Sequence, residues 1–188
     1  MSFLRLAVAI VAALTLTSAV PAFAQDGSAN REAVSKLDFM RGVWVGEATG
    51  MAPNGQPYRI TQTERIGPLL GGEILAIEGR GYQADGTTAF NAFAVVSWDA
   101  TAGKYEMRSY ALGRSGTFPF TLTEDGYVWE IPAGPGVVRY QAEVTAETFH
   151  EVGDFVMEGQ PSRRMFEMTL TRRGDTDWPA AGAIDPAH

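Results

Sequence analysis

Cysteine is missing altogether from the 188 residues, and with it go disulfides, thiolate nucleophiles and thiolate metal sites. Histidine occurs only twice, as His150 and His188, which leaves little from which to build a metal centre or a Ser-His-Asp triad. Basic clusters are equally scarce. The net charge is −7 and the longest positive runs are the pairs Arg163-Arg164 and Arg172-Arg173, so neither nucleic acid nor an anionic membrane surface is expected as a partner. Long apolar runs are confined to one place, Leu6 to Leu16, which falls short of the roughly 20 residues that a transmembrane helix needs.

What is present at the start has the three parts of an export leader: Arg5, then the apolar run, then the small-x-small pattern Ala22-Phe23-Ala24. Cleavage after Ala24 is expected, with residues 1–24 a signal peptide, no transmembrane segment in the remainder, and the product exported to the periplasm or beyond. No cysteine follows the run, so a lipoprotein anchor is excluded. Removing 24 of the 188 residues leaves 164, one domain's worth and long enough to bury a core without covalent staples. Residues 25–36 read as a flexible start leading into a short helix, residues 37–173 as the folded domain, and residues 174–188, rich in Gly, Pro, Ala and Asp, as a flexible tail. Trp178 is a costly residue to leave in water and is expected to seek the domain's wall. No oligomeric state is written in these patterns.

Asn30 is placed to cap a helix over Arg31 to Met40, with Val34, Leu37 and Phe39 on one side. Thereafter the chain has the grain of strands. Ten windows alternate or run apolar: Val43 to Gly50, Tyr58 to Ile66, Glu73 to Gln83, Phe90 to Asp99, Lys104 to Leu112, Thr117 to Thr123, Tyr127 to Ile131, Val138 to Thr145, Thr148 to Val156 and Arg164 to Arg173. Turn residues such as Asn54-Gly55, Asp85-Gly86 and Asp125-Gly126 separate them, so neighbours in sequence should pair antiparallel. In the eighth window Val138, Tyr140, Ala142 and Val144 alternate with Arg139, Gln141 and Glu143, and in the tenth Phe166, Met168 and Leu170 alternate with Glu167, Thr169 and Thr171. With one short helix as cover, such a sheet satisfies its edges most simply by closing into an all-β, up-and-down antiparallel barrel. A two-sheet sandwich is the other way to do so.

The stretch MRGVWVGEATG opens the first window. Gly42 allows a tight entry, and Trp44 shares its face with the small Gly46, Ala48 and Gly50, so its indole can plug the end of a barrel. Arg172 continues the inward parity of Phe166, Met168 and Leu170 and can lie on that indole, a contact of about 1 kcal/mol or more when desolvated. A Gly-x-Trp opening the first strand and an Arg closing the last resemble the calycin barrels, the lipocalins and fatty-acid-binding proteins. The spaced set LDFMRGVWVGEATG, LLGGEILAIEG, SWDATAGKY, TFHEVGDF and FEMTLTRR, spread over Leu37 to Arg173, is similar to a bacterial group of calycin-like domains related in shape to the nitrobindin-type ten-stranded barrels. The resemblance implies a closed barrel with an internal cavity and brings no established activity with it.

It also raises haem, which nitrobindin-like barrels hold through one inward histidine. His150 shares parity with Val152 while Phe149 and Glu151 take the other face, and the surroundings depart from that family's histidine-bearing stretch, so no cofactor is expected and His150 is kept as a weak haem candidate. Metal hydrolysis lacks a second histidine, no Gly-x-Ser-x-Gly elbow occurs, and GRGYQADG has no strand-to-helix setting for a phosphate. A non-catalytic task accounts better for polar residues that fall on inward faces. Gln62 and Glu64 share parity with Tyr58, Ile60 and Ile66, and Ser109 shares it with Tyr105 and Met107; in a dry interior these call for pairing, water or a ligand. Gln62, Glu64, Ser109 and Tyr140 are candidate polar contacts, and Trp129, Phe166 and Met168, with Phe118 and Phe120, candidate apolar lining. The expected ligand is small and apolar or amphipathic. An interaction module with a filled core is the remaining reading.

Overall fold

A computed structural model describes residues 27–52 and 54–178; the expected leader, Pro53, His188 and most of the tail lie outside them. The element order is a helix α1 (Ser28–Ser35), a single 3-10 turn (Asp38–Met40), then strands β1 (Gly42–Met51), β2 (Pro57–Leu69), β3 (Ile74–Tyr82), β4 (Thr88–Asp99), β5 (Lys104–Ala111), β6 (Arg114–Leu122), β7 (Gly126–Ala133), β8 (Gly136–Val144), β9 (Thr148–Val156) and β10 (Arg163–Gly174), with a second 3-10 turn (Leu70–Gly72) between β2 and β3. Every strand pairs antiparallel with its sequence neighbours, and β1 pairs with β10, so the sheet is a closed ten-stranded barrel. The sandwich alternative is thereby removed: closure leaves no row of unpaired backbone groups on either edge.

Closure depends on β1 being paired along both sides. Gly42 to Met51 face Ile66 to Pro57 of β2 without interruption, while Val43 to Gly50 face Gly174 to Phe166 of β10 with one irregularity beside Trp44. That register sets Trp44 between Glu64 and Arg172. The indole is fully buried, its Nε1 donates to the Met40 carbonyl at 3.0 Å, its edge meets Phe149 with ring centroids 5.7 Å apart, and the Arg172 guanidinium lies 6.0 Å from its centroid. Gly42, at φ 142, enters the strand where a Cβ would stand 2.9 Å from the Gly174 carbonyl, a conformation and a contact that side-chain-bearing residues avoid. Burying an indole of this size is worth on the order of 5 kcal/mol by area.

The helix lies across this end of the barrel. Val34, Leu37 and Met40 are fully buried under it, the Tyr105 hydroxyl donates to the Ala33 carbonyl at 2.6 Å, and Asn30 Nδ2 donates to the Trp98 carbonyl at 3.0 Å. Here the sequence expectation is corrected. Asn30 sits inside a helix that begins at Ser28 and stops at Ser35, and no side chain caps its start. The amide that local chemistry assigns to capping is taken by a long-range carbonyl instead, and the Leu37–Met40 segment folds into its own turn so that Leu37 and Met40 reach the core. The strand windows agree with the observed strands within a few residues, the largest differences being β2, which runs three residues past Ile66, and β6, which starts three residues before Thr117; β7 runs on through Pro132, opposite Val137. The predicted inward sets Val138, Tyr140, Ala142, Val144 and Phe166, Met168, Leu170 occupy the less exposed alternation of β8 and β10.

Of the expected tail, Gly174 ends β10, and Thr176 and Trp178 lie against the outer wall at Gly67. Trp178 is half-buried, with Arg65 5.8 Å from its ring and Phe93 at 6.2 Å, over Gly67, where a Cβ would come within 2.9 Å of the Trp178 Cβ.

Trp44→Ala is expected to cost about 3–5 kcal/mol, read as a fall in the urea midpoint. Arg172→Met, which keeps an apolar stem over the ring, should cost well under half of that; an equal loss in both variants would mean that charge, rather than filling, holds the strands together.

Candidate functional site

The barrel's two ends differ. At the helix end Trp44, Ile66, Leu75, Val96, Phe149 and Leu170 are buried to 2 % exposure or less, and edge and stacked contacts join Trp44, Phe149, Tyr127, Phe120, Tyr105 and Trp98 into one aromatic layer. At the other end the inward Tyr58, Phe90, Phe118, Trp129, Tyr140 and Phe166 are only half-buried, so the mouth is aromatic and partly open. Between these layers lie the buried polar residues.

Strict alternation along β2 turns Tyr58, Ile60, Gln62, Glu64 and Ile66 inward. Gln62, 2 % exposed, donates through Nε2 to Glu64 Oε1 at 2.8 Å. Space for the carboxyl comes from the residue opposite, since a Cβ on Gly79 would lie 2.8 Å from Glu64 Oε1. From the far wall, β9 turns Glu151 inward between Ala142 and Met168. Glu151 accepts from the Tyr127 hydroxyl at 2.8 Å and from Trp129 Nε1 at 3.2 Å. Trp129 stacks on Tyr140 with centroids 4.3 Å apart and planes at 13°; Phe118 and Phe166 flank that pair at 5.9 and 6.0 Å. Tyr140 occupies the space left by Gly153, whose Cβ would stand 2.7 Å from its ring.

Two carboxyl groups so deeply placed do not behave as surface carboxylates. Burial, and then the nearby charges of Glu151 and Glu78, push Glu64 up to about 8 despite the opposing hydrogen bond from Gln62. Burial also raises Glu151, held back by the two donors Tyr127 and Trp129. At neutral pH Glu64 is therefore a neutral acid, able to donate as well as accept. Burial likewise raises Tyr140 to about 12 and Tyr127 well above its ordinary range, each with help from the Glu151 charge, so both phenols stay protonated.

The expected site residues thus divide. Gln62, Glu64, Trp129, Tyr140, Phe166 and Met168 face one lumen, with Met168 buried beside Glu151. Ser109 faces inward on β5 between Ala94 and Gly116, but among the described residues it hydrogen-bonds to none of them. Gly42, Trp44 and Arg172 lie together at the closed end, away from the mouth. His150 is corrected: it lies on the outer face, with Nε2 3.1 Å from Glu167 Oε1 and its side chain 41 % exposed. An iron ligand must point into the lumen, and the described inward positions supply no histidine, so these residues do not fit haem held as the resemblance implied. Sequence reading missed Glu151 and Tyr127. The parity of Glu151 with Phe149 and Gly153 was the available signal, obscured because its neighbour Val152 is apolar and lies outside.

At the mouth a cleft of about 570 Å³ runs over the rim where β1, β2 and β10 meet. It touches the inner wall at Gly50, Tyr58 and Phe166 and the outer wall at Arg59 and Glu167, beside the bulge that displaces Met165 from the β9–β10 register.

No family model matches this chain, and no curated protein matches it. Among solved structures the chain is similar to the crystal structure of Rv2717c from M. tuberculosis, with a TM-score of 0.56 and 14 % identity over 75 % of this chain and 97 % of that one. At that identity the likeness concerns the barrel fold.

Because the folded protein keeps the Glu64 proton from about 4.5 up to about 8 while the unfolded chain releases it, stability should fall as pH rises through that window. Glu64→Gln removes the titrating group. Urea unfolding at pH 5.5 and 8.5 should show a flatter dependence in the variant and a gain on the order of 2–3 kcal/mol at the higher pH; a slope identical to wild type would show that Glu64 ionises normally. Haemin added to the purified protein is expected to give the same Soret spectrum with wild type and His150→Ala.

Proposed function

We propose that this protein is a calycin-like carrier, exported with loss of residues 1–24, that binds a small, largely apolar molecule in the mouth half of its barrel and does so without catalysis. One observation carries the reading: polar groups sit at the base of an aromatic, partly open mouth instead of the apolar filling found at the helix end. A barrel that only had to be stable would gain by replacing Gln62, Glu64 and Glu151 with packed aliphatic side chains, since buried polar groups stabilise little even when paired. Retaining them beneath Trp129, Tyr140 and Phe166 fits a site where a few polar contacts orient an apolar body. The leader pattern supports the periplasm as the place of work.

The interaction module is favoured by a different observation. Phe93, Tyr110 and Leu112 are exposed large apolar residues around a groove of about 390 Å³ that runs over the rim where β4, β5 and β6 meet, the kind of patch that partners cover.

Native mass spectrometry of the full exported chain tests the carrier. A co-purifying mass of a few hundred daltons is expected, lost by organic extraction and weakened in Tyr140→Ala and Phe166→Ala. A bare protein mass, together with no shift in Trp129 emission on adding a hydrophobic dye and an unchanged response in Trp129→Phe, would favour the filled-core module.

A further inference from the structure

The lumen carries two buried carboxyl groups and no cation to answer them. The inward residues directly opposite the two carboxyls are Trp44 and Gly79 beside Glu64, and Ala142 and Met168 beside Glu151. Among the described residues, the inward positions deeper than the rim hold no Lys, Arg or His between the Trp44 layer and the mouth, and Arg114, which shares the inward parity of Phe118 and Phe120, stands exposed at the mouth end of β6 opposite Ala111. Arg172 lies at the helix end beside Trp44 and is engaged by Asp175 at 2.7 Å, and Arg163 sits at the rim over Phe155. The polar atoms are also incompletely matched. Beyond the Gln62 Nε2 to Glu64 Oε1 bond, Glu64 Oε2 and Gln62 Oε1 accept from no donor among the described residues, and neither is sealed from solvent, since the one buried side-chain polar atom without a partner there is Arg41 Nε. Glu151 and Tyr127 are satisfied by each other. The lumen therefore offers acceptor oxygens that no N–H donor or cation faces, and the stacked Trp129–Tyr140 pair offers an indole and a phenol to a cation.

We infer that the barrel selects an organic amine: an ammonium group seated against Glu64, Gln62 and Glu151, with an apolar body held among Tyr58, Phe118, Trp129, Tyr140 and Phe166. This rests on the binding reading above and deepens it. An ammonium brings three donors and the missing charge, and its presence favours the ionised forms that burial disfavours. A carboxylate-headed ligand of fatty-acid type would instead add a third acid beside two. A neutral alcohol would be tolerated without preference.

The experiment uses octylamine, octanoate and octanol, which share one apolar body, titrated into the full exported chain and followed by tryptophan emission and calorimetry. Octylamine should bind on the order of tenfold or more tighter than octanol, with octanoate weakest. Glu64→Gln and Glu151→Gln should each narrow the octylamine-to-octanol affinity ratio toward one, with circular dichroism confirming the fold. Equal affinities, octanoate tightest, or an amine preference that survives both substitutions would overturn the amine assignment and leave the carrier reading standing. No binding of any of the three would overturn both. Should a variant fail to fold, the rank order in wild type decides the matter.

Discussion

The indole of Trp44 is the point on which the barrel's closure turns. It sits where the first strand is flanked by the second and the last, fills the helix end, and ties that end to the preceding turn through the Met40 carbonyl. Arg172 on the last strand and Gly42 on the first are shaped around it. Once that end is sealed and dry, the hydrophobic filling needed for stability is concentrated there, and the opposite half of the lumen is released from the duty of close packing. The division of labour between a filled floor and a sparser mouth follows from this one buried ring.

Most of the architecture was legible in the sequence because the barrel obeys a period of two. Side chains of β2, β8 and β10 alternate cleanly, and Asp-Gly and Asn-Gly turns announce where strands reverse. Closure was legible as an economy, ten strands with one short helix for cover, and the Trp44–Arg172 pairing followed from parity. What escaped was set by distant contacts. Asn30 reads as a cap, but the carbonyl of Trp98, 68 residues away, claims its amide, and no local rule reports that. Leu37 and Met40 were assigned to a continuous helix, yet reaching the core demanded a break after Ser35.

The candidate site was only half visible. Gln62 and Glu64 stood out because polar residues interrupt an otherwise apolar inward row. Glu151 did not, since β9 carries Val152 on its outer face and His150 drew attention to the wrong parity. The second buried carboxyl therefore comes from a strand seven places along the chain from that of Glu64, brought to the same lumen by closure through β10 and β1. Gly79 and Gly153, unremarkable in sequence, turn out to be the clearances in which the Glu64 carboxyl and the Tyr140 ring rest. A glycine on an inward position opposite a large or charged side chain is the signal that such a site leaves behind.

The pairing of Val43 with Gly174 also governs time. Each of the other nine strand pairings is a hairpin between neighbours and can form as soon as its two arms exist, whereas this one joins the two ends of the domain and must meet the loop-closure entropy of nearly the entire chain. Until β10 arrives, β1 offers a bare, largely apolar edge with an unseated tryptophan beside it, open to pairing with any other extended chain. The slowest step of folding is therefore assigned to the dozen residues of β10, and the hazard of aggregation to whatever interval precedes their docking.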